Sequence, residues 1–449
     1  MSDEPPSPDL PAPLARSLRM AIRLAARPET DSRIRRDVLA LCEAVLLRLE
    51  LRAAPALVSE ADATANVREQ LVRSGELAPP ARAALWSELA AYAQREALRL
   101  ESHERAVAAE LGAADATAAT LTTDAVQRYL QRRFPDQPPE VIACTEVPGG
   151  RSKVTLMLRL GATGSLPHEL VLRCDRAGSA QATSVRDEFP VLRAMYEARA
   201  FAPEPLWLES DPEPLGSAFL AMRRMPGSSC GDYWSAGAAG PAHARSLAQA
   251  LARIHGVEAR AVWPRAPSSA RESTAELVSG HETRWHEVLS APSILLELGY
   301  AWLGQQLHAL TGASVVVHGD CHFANVLYDG ERISCLTDWE FAHAGHPAED
   351  LAFCRAYVER ILPWAEFMEH YQASGGRQVS VAELGFFRVW TYLRNATLAA
   401  RALPDVLAGR ATDVHTVAIA VHARARLEAS LAGVLAEELA RARGGSATS

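Results

Sequence analysis

The sequence is short of several features, and each shortage closes a class. No Cys-x-x-Cys pair occurs. The seven cysteines, Cys42, Cys144, Cys174, Cys230, Cys321, Cys335 and Cys354, are odd in number and scattered. Neither a disulfide framework nor a zinc site is supported, and a reducing cytoplasm is the expected compartment. No stretch approaches the roughly 18 uncharged residues of a membrane span. The most apolar early stretch, Val38 to Leu51, is broken by Glu43, Arg48 and Glu50. The N-terminus is acidic and proline-rich, the opposite of a signal peptide. Basic residues are outnumbered, 46 Lys+Arg against 54 Asp+Glu, for a formal net charge of −8. Global charge therefore excludes a strongly basic nucleic-acid binder. Aromatics make up only 6%. With abundant alanine, that favours helices packed through small residues over an all-β fold. No G-x-x-x-x-G-K-[ST] occurs, so a P-loop is not supported. No repeat of 20–50 residues is present.

What is present is a chain of 449 residues, 48% hydrophobic and 22% charged. At roughly 100–200 residues per domain it has room for two to four domains. Residues 1–12 read as a disordered tail and 13–119 as an all-helical domain. In that domain Ile34, Val38, Leu41, Val45 and Leu49 share one helical face, and Pro79-Pro80 opens a helix with Leu85, Leu89 and Tyr92 on one stripe. An Ala/Thr-rich linker leads to a short amphipathic helix at about 123–134. The texture then changes. Strands are expected at 141–147, 153–160 and 169–173, with a turn at Pro148-Gly149-Gly150-Arg151-Ser152. From about Pro241 the pattern is helical, except for a short strand at Val315-Val316-Val317 and a hairpin pairing 326–328 with 333–337 about Asp329-Gly330.

The most informative stretch is His318-Gly-Asp320-Cys-His-Phe-Ala-Asn325, followed by Leu336-Thr-Asp338-Trp-Glu340. The spacing H-x-D-x-x-x-x-N is that of a kinase catalytic loop, in which the Asp accepts the proton of the attacking hydroxyl and the Asn binds Mg²⁺. Asp338, at the end of a strand, stands where a second metal-binding carboxylate belongs. Phosphoryl transfer needs hard oxygen ligands on Mg²⁺ and a carboxylate beside the acceptor. A lone His-Gly-Asp is a common turn, and Asp338 alone could cap a helix. The joint pattern of strand, loop, hairpin and Leu-x-Asp carries the functional reading.

These residues, with Gly345-His-Pro-Ala-Glu-Asp350-Leu-Ala, resemble the aminoglycoside phosphotransferase (phosphotransferase enzyme) family over about residues 120–400. The resemblance implies a protein-kinase-like α+β fold preceded by the all-α domain. The N-lobe, 120–222, would be a small antiparallel sheet. The C-lobe, 223–449, would be helical. It implies that Asp320 is the catalytic base, that Asn325 and Asp338 bind Mg²⁺, that His318 braces the loop and that Asp350 is structural. Gly149, Gly150 and Ser152 sit where the family's phosphate-covering hairpin belongs, although an ordinary β-turn would read the same. Glu188 resembles the helix glutamate that pairs with the nucleotide-binding lysine, or is a solvated carboxylate. Where that lysine is usual, this chain has Arg173, in Leu170-Val-Leu-Arg173, as in the branch resembling the kinase-like domain found with acyl-CoA dehydrogenases. Met222 to Arg224 resemble the hinge that meets adenine, and also suit a buried strand and turn. His255 reads as a packed or capping histidine behind the loop, and His322 could face phosphate or acceptor.

The expected activity is transfer of the γ-phosphate of Mg²⁺-ATP to a hydroxyl of a small molecule, a hydroxyacyl-CoA-type metabolite or an aminoglycoside-like compound. A nucleotide-binding regulatory module without transfer activity is the competing expectation, favoured by the missing lysine. Glu359, Glu366 and Glu369 are offset by Arg355, Arg360, Arg388 and Arg394, so charge does not choose the acceptor. Trp390, Arg394 and Asn395 are candidates for the acceptor pocket or for helix core and surface. Neither nucleic acid nor membrane is expected as a partner. The N-terminal helical domain is open to homodimer contact, to covering the cleft or to partner binding.

Overall fold

The computed structural model describes residues 122–147, 153–161, 166–175, 183–231, 237–287, 293–407 and 424–445. The expected tail 1–12, the helical domain 13–119 and the turn with Gly149, Gly150 and Ser152 lie outside the described residues. The helices, in chain order, are α1 (Thr123–Arg133), α2 (Val185–Glu197), α3 (Pro241–Ile254), α4 (Ala259–Val262), α5 (Ala270–His286), α6 (Ile294–Gln306), α7 (Ala348–Val358), α8 (Trp364–Ala373), α9 (Val381–Leu407) and α10 (Arg424–Gly445). The strands are β1 (Val141–Val147), β2 (Lys153–Leu160), β3 (Glu169–Asp175), β4 (Pro205–Glu209), β5 (Phe219–Arg223), β6 (Val315–Val317), β7 (Val326–Asp329), β8 (Arg332–Leu336) and β9 (His343–Gly345). Among the described residues no helix is long and apolar enough to cross a membrane.

The described chain falls into two compact units, one of residues 122–277 and 307–388, the other of 278–306 and 389–445. In the first, β1 to β5 form an antiparallel sheet in the order β1-β2-β3-β5-β4. Leu156, Leu158 and Leu160 alternate along β2, and Leu170, Leu172 and Cys174 along β3. They form one buried face with Val126, Tyr129 and Leu130 of α1. Each such leucine contributes about 1.5–3 kcal/mol by leaving water. The α1 helix starts at Thr122, whose hydroxyl accepts from Ala125 N–H at 3.3 Å, and is tied to the sheet by Gln127, whose Oε1 accepts from Val141 N–H at 2.7 Å. The alternate residues of β3 point to the opposite face. There α2 packs, and Arg173 lies opposite Thr155 on β2 and Leu220 on β5.

The α2 helix opens at Ser184. Asp175, at the end of β3, accepts from the Ser184 hydroxyl at 2.8 Å and from Val185 N–H at 2.9 Å. One aspartate thus joins the strand bearing Arg173 to the helix bearing Glu188. In the rest of this unit β6 pairs with β9 and β7 with β8, the latter turning at Gly330 (φ 61°). Ala244, Leu247, Ala248 and Leu251 bury one side of α3, which packs on α8 and β8.

Strands β1 and β2 fall on the expected residues, and β3 continues two residues further, to Asp175. Strands β4 and β9 were not foreseen. Pro205 opens β4, which lies on the sheet's edge where a missing N–H is tolerated, and β9 is only three residues long. In the second unit, Tyr300 and Thr397 share a 2.7 Å hydroxyl hydrogen bond. Gly299 lets α6 approach Leu393, since a Cβ there would lie 2.9 Å from Leu393 Cδ1.

Candidate active site

The loop from His318 to Asn325 leaves β6 and is held from behind by one carboxylate. Asp350, fully buried near the start of α7, accepts from His318 N–H and Gly319 N–H, each at 2.8 Å. It also accepts from His255 Nε2 at 3.1 Å, and the Tyr371 hydroxyl donates to His255 Nδ1 at 2.9 Å. Burial by itself would raise the Asp350 pKa. The hydrogen bond from His255, with the backbone hydrogen bond from His318, overcomes it and leaves the carboxyl below the usual aspartate value. Gly319 is needed for two reasons: its φ is +79°, and a Cβ would lie 2.6 Å from the Phe341 carbonyl oxygen.

His318 links the loop to the segment that follows β8. Its Nδ1 accepts from Asp320 N–H at 3.3 Å, and its Nε2 donates to the Thr337 carbonyl at 3.0 Å. That bonding pattern is the neutral imidazole's, and burial pushes the His318 pKa down accordingly. Asn325 Nδ2 donates to Asp320 Oδ2 and to the Asp320 carbonyl, both at 3.0 Å, so its Oδ1 is the atom left for a cation. The Asn325 carbonyl accepts from Thr337 N–H at 2.8 Å. The β7–β8 hairpin therefore sets Asp338 in register with Asn325. Asp338 itself adopts a left-handed conformation (φ 67°, ψ 61°), which costs a non-glycine residue about 1–3 kcal/mol and marks a position held by its surroundings.

From the sheet, Arg173 reaches this turn. Its Nε donates to Glu188 Oε2 at 2.9 Å and its Nη2 to Asp338 Oδ1. Burial would favour losing the Arg173 proton, but Asp338, Glu188 and Glu340 together hold it on more firmly than in a free arginine. Burial pushes the Glu188 carboxyl up, against the pull of Arg173. Asp338 is likewise pushed up, first by burial and then by Glu340 and Asp320, again against Arg173. Crowded carboxylates with too few cations are a setting that a divalent ion would relieve.

A second cation lies here that the motif reading passed over. Lys153, 2% exposed, places Nζ 3.2 Å from Glu340 Oε2 and 3.4 Å from Asp175 Oδ1. It donates to the Thr183 carbonyl at 2.8 Å and the Thr183 hydroxyl at 3.1 Å, and that hydroxyl donates to Glu340 Oε2 at 2.9 Å. A plain signal was available in the composition. Lys153 is the only lysine in the chain, and every other basic residue of the Lys+Arg total of 46 is arginine. Thr183 and Asp175, by contrast, carry no sequence signal that separates them from ordinary polar residues.

The expected site residues thus fall as follows. Asp320, His318, Asn325, Asp338, Arg173 and Glu188 are linked by hydrogen bonds and ion pairs within one unit. Met222 lies on β5 opposite Val171. The next two amides are already used, Arg223 N–H by the Glu204 carbonyl at 2.9 Å and Arg224 N–H by the Glu169 carbonyl at 3.3 Å. His322 Nε2 lies 3.5 Å from Asp320 Oδ2, with its ring centroid 6.3 Å from that of Phe353 and 6.4 Å from that of Tyr357. Cys321 is buried and its thiol pKa is pushed well up by that burial, so it is no nucleophile. Trp390, Arg394 and Asn395 belong to the second unit, where Trp390 is buried edge-on to His281. Among the described residues no three His, Cys, Asp or Glu side chains are gathered to hold a metal by themselves. The oxygens of Asn325 and Asp338 fit Mg²⁺, which takes one or two protein ligands and completes its shell with phosphate and water.

The phosphotransferase enzyme family is matched over residues 143–384, more than half of the chain. Acyl-CoA dehydrogenase family member 11 of Gallus gallus is 26% identical over 248 residues, covering 52% of this chain and 30% of that protein. Acyl-CoA dehydrogenase family member 10 of Mus musculus is 25% identical over 282 residues, covering 61% and 25%. The chain spans less than a third of the length of these curated relatives. A solved structure from Ralstonia eutropha, described as an aminoglycoside phosphotransferase, superposes with a TM-score of 0.53 at 18% identity, covering 71% of this chain and 99% of that one. It shares the fold.

Proposed function

Because the chain belongs to the phosphotransferase enzyme family, we propose that it transfers the γ-phosphoryl group of Mg²⁺-ATP to a hydroxyl of a small molecule. The observation that carries the reading is the 3.0 Å contact of Asn325 Nδ2 with Asp320 Oδ2, together with the hairpin register that brings Asp338 beside them. Asp320 orients the acceptor hydroxyl and takes its proton. Asn325 Oδ1 and the Asp338 carboxylate would hold Mg²⁺, which would supply positive charge to offset that of the phosphates. Arg173, fixed by Glu188, supplies the cation of the nucleotide site, and its planar fork serves two carboxylates at once. His318 keeps the loop and the Asp338 turn together without itself touching the reactants. Gly149, Gly150 and Ser152 are the residues we assign to covering the phosphates. The base is met by backbone beyond Met222, past the amides that the sheet has already used.

For the acceptor, a hydroxyl on an acyl thioester is the class we favour over an aminoglycoside-like compound. The curated relatives are acyl-CoA dehydrogenase family members. Two of the acids that could draw a polycation are already paired, Glu359 with Arg355 at 2.8 Å and Glu366 with Arg245 at 2.7 Å. A regulatory nucleotide-binding module is the second reading, favoured by the direct contact of Arg173 with Asp338, which occupies the metal-binding carboxylate.

The test is ADP release from Mg²⁺-ATP across hydroxyacyl-CoA and aminoglycoside panels, with Asp320→Asn alongside. Wild type should turn over an acceptor. The variant should be slower by about 10²–10⁴-fold with nucleotide affinity little changed. Full activity in the variant would overturn the mechanism, and nucleotide binding without turnover on any acceptor would favour the regulatory reading.

A further inference from the structure

We propose that Lys153 is a positioning residue of the phosphotransfer site. It acts through Glu340, and the requirement is for an ammonium rather than for positive charge alone. The inference rests on the phosphotransferase reading above. It starts from composition: a chain that answers every other need for a basic side chain with arginine keeps one lysine, and that lysine is buried to 2% exposure. Lysine is almost never fully buried unless paired. Here four oxygens surround Nζ: the Thr183 carbonyl at 2.8 Å, the Thr183 hydroxyl at 3.1 Å, Glu340 Oε2 at 3.2 Å and Asp175 Oδ1 at 3.4 Å. An ammonium with three rotatable donors serves acceptors clustered around one point. A planar guanidinium, with donors spread over a fixed fork, does not.

The position matters as much as the chemistry. The acceptors come from three segments: Asp175 ends β3, Thr183 precedes α2, and Glu340 follows Asp338 by two residues. Glu340 Oε2 is also 3.9 Å from Arg173 Nη2. Lys153 therefore fastens the turn that carries Asp338 to the strand that begins directly after residues 148–152. Without it, Glu340 would lose its ammonium partner, and the strained Asp338 turn would lose its tie to β2. The ammonium is already surrounded by protein oxygens, so its effect on a bound nucleotide is exerted through Glu340 and Asp338.

The test uses the full chain with Lys153→Met, Lys153→Arg, Glu340→Gln and the double variant Lys153→Met/Glu340→Gln. The probe is ADP, titrated without metal and then against Mg²⁺ at fixed ADP, with thermal melting of each variant. Both Lys153 variants and Glu340→Gln should raise the Mg²⁺ half-saturation point about tenfold, with metal-free ADP affinity within about twofold. The double variant, which removes both charges together and so avoids an unpaired buried ion, should be no worse than either single. Four results would overturn the proposal: Lys153→Arg behaving as wild type, metal-free ADP affinity falling as far as the Mg²⁺ response, the two single effects multiplying in the double variant, or a change in melting alone. Wild type that binds no Mg²⁺-ADP would overturn the phosphotransferase reading and this role with it. Wild-type binding with unaltered variants would overturn this role only.

Discussion

Replacing Asp350 by Asn tests how the 318–325 loop is held. The carboxylate accepts from His318 N–H and Gly319 N–H, one on each oxygen, and from His255. Asparagine keeps one oxygen and turns an NH₂ group toward the other buried amide. That amide is left unsatisfied, at about 1–3 kcal/mol, and the remaining bonds fall from charged strength, about 1.5–3 kcal/mol, to neutral strength, about 0.5–1.5 kcal/mol. The Asp350 pKa lies below its usual value despite burial, so the fold favours the charged form that the substitution removes. The expected loss is about 3–5 kcal/mol, a large share of the roughly 5–15 kcal/mol that a domain has. Urea unfolding of the full chain measures it. Hydrogen exchange at the His318 and Gly319 amides should accelerate by about 10²-fold or more, since about 1.4 kcal/mol corresponds to a factor of ten. A variant within about 0.5 kcal/mol of wild type, with both amides still protected, would refute the reasoning.

Three further outcomes are expected. Gly319→Ala should destabilise the fold by about 2–4 kcal/mol in the same urea experiment, because the new Cβ meets the Phe341 carbonyl at 2.6 Å and the backbone stays at φ +79°; an unchanged midpoint and slope would contradict this. Asp338→Ala should abolish Mg²⁺-dependent nucleotide binding while leaving the chain folded, checked by ADP titration with and without Mg²⁺ and by melting. Burial holds the His346 pKa below its usual value, so from about pH 6.5 downward the unfolded chain takes up a proton at this residue that the folded chain refuses, and stability falls as pH drops; melting temperature should therefore decline less steeply between pH 7.5 and about 5.5 in His346→Asn than in wild type, and equal slopes would count against it.

The match between reading and structure is best where local pattern and chemistry coincide. Strand β1 is marked by its β-branched residues Val141, Ile142, Thr145 and Val147, β2 by alternating leucines, and the hairpin announces itself through Asp329-Gly330. The loop residues Asp320 and Asn325 lie five apart, close enough for one local turn to bring them together. Asp350 was legible only as structural. That it holds His318 and Gly319 depends on the start of α7 meeting the loop that leaves β6, 31 and 32 residues away in sequence, which no local pattern encodes. Strand β4 escaped because Pro205 opens it at the sheet's edge, where pairing with β5 rather than propensity makes the strand.

The sequence by itself determined the chemistry available: an H-x-D-x-x-x-x-N loop, a second aspartate after a hairpin, an arginine where a lysine was expected, and a single lysine for the whole chain. These are properties of residue identity and short spacing, and they are complete before the chain folds. Only the tertiary structure decided which charges meet. Arg173 and Asp338 are separated by 165 positions and Lys153 and Glu340 by 187. Their pairing follows from β2, β3 and α2 closing on the end of the β7–β8 hairpin. Burial there raises the cost of any unpaired charge, so the partners of the one lysine are set by packing.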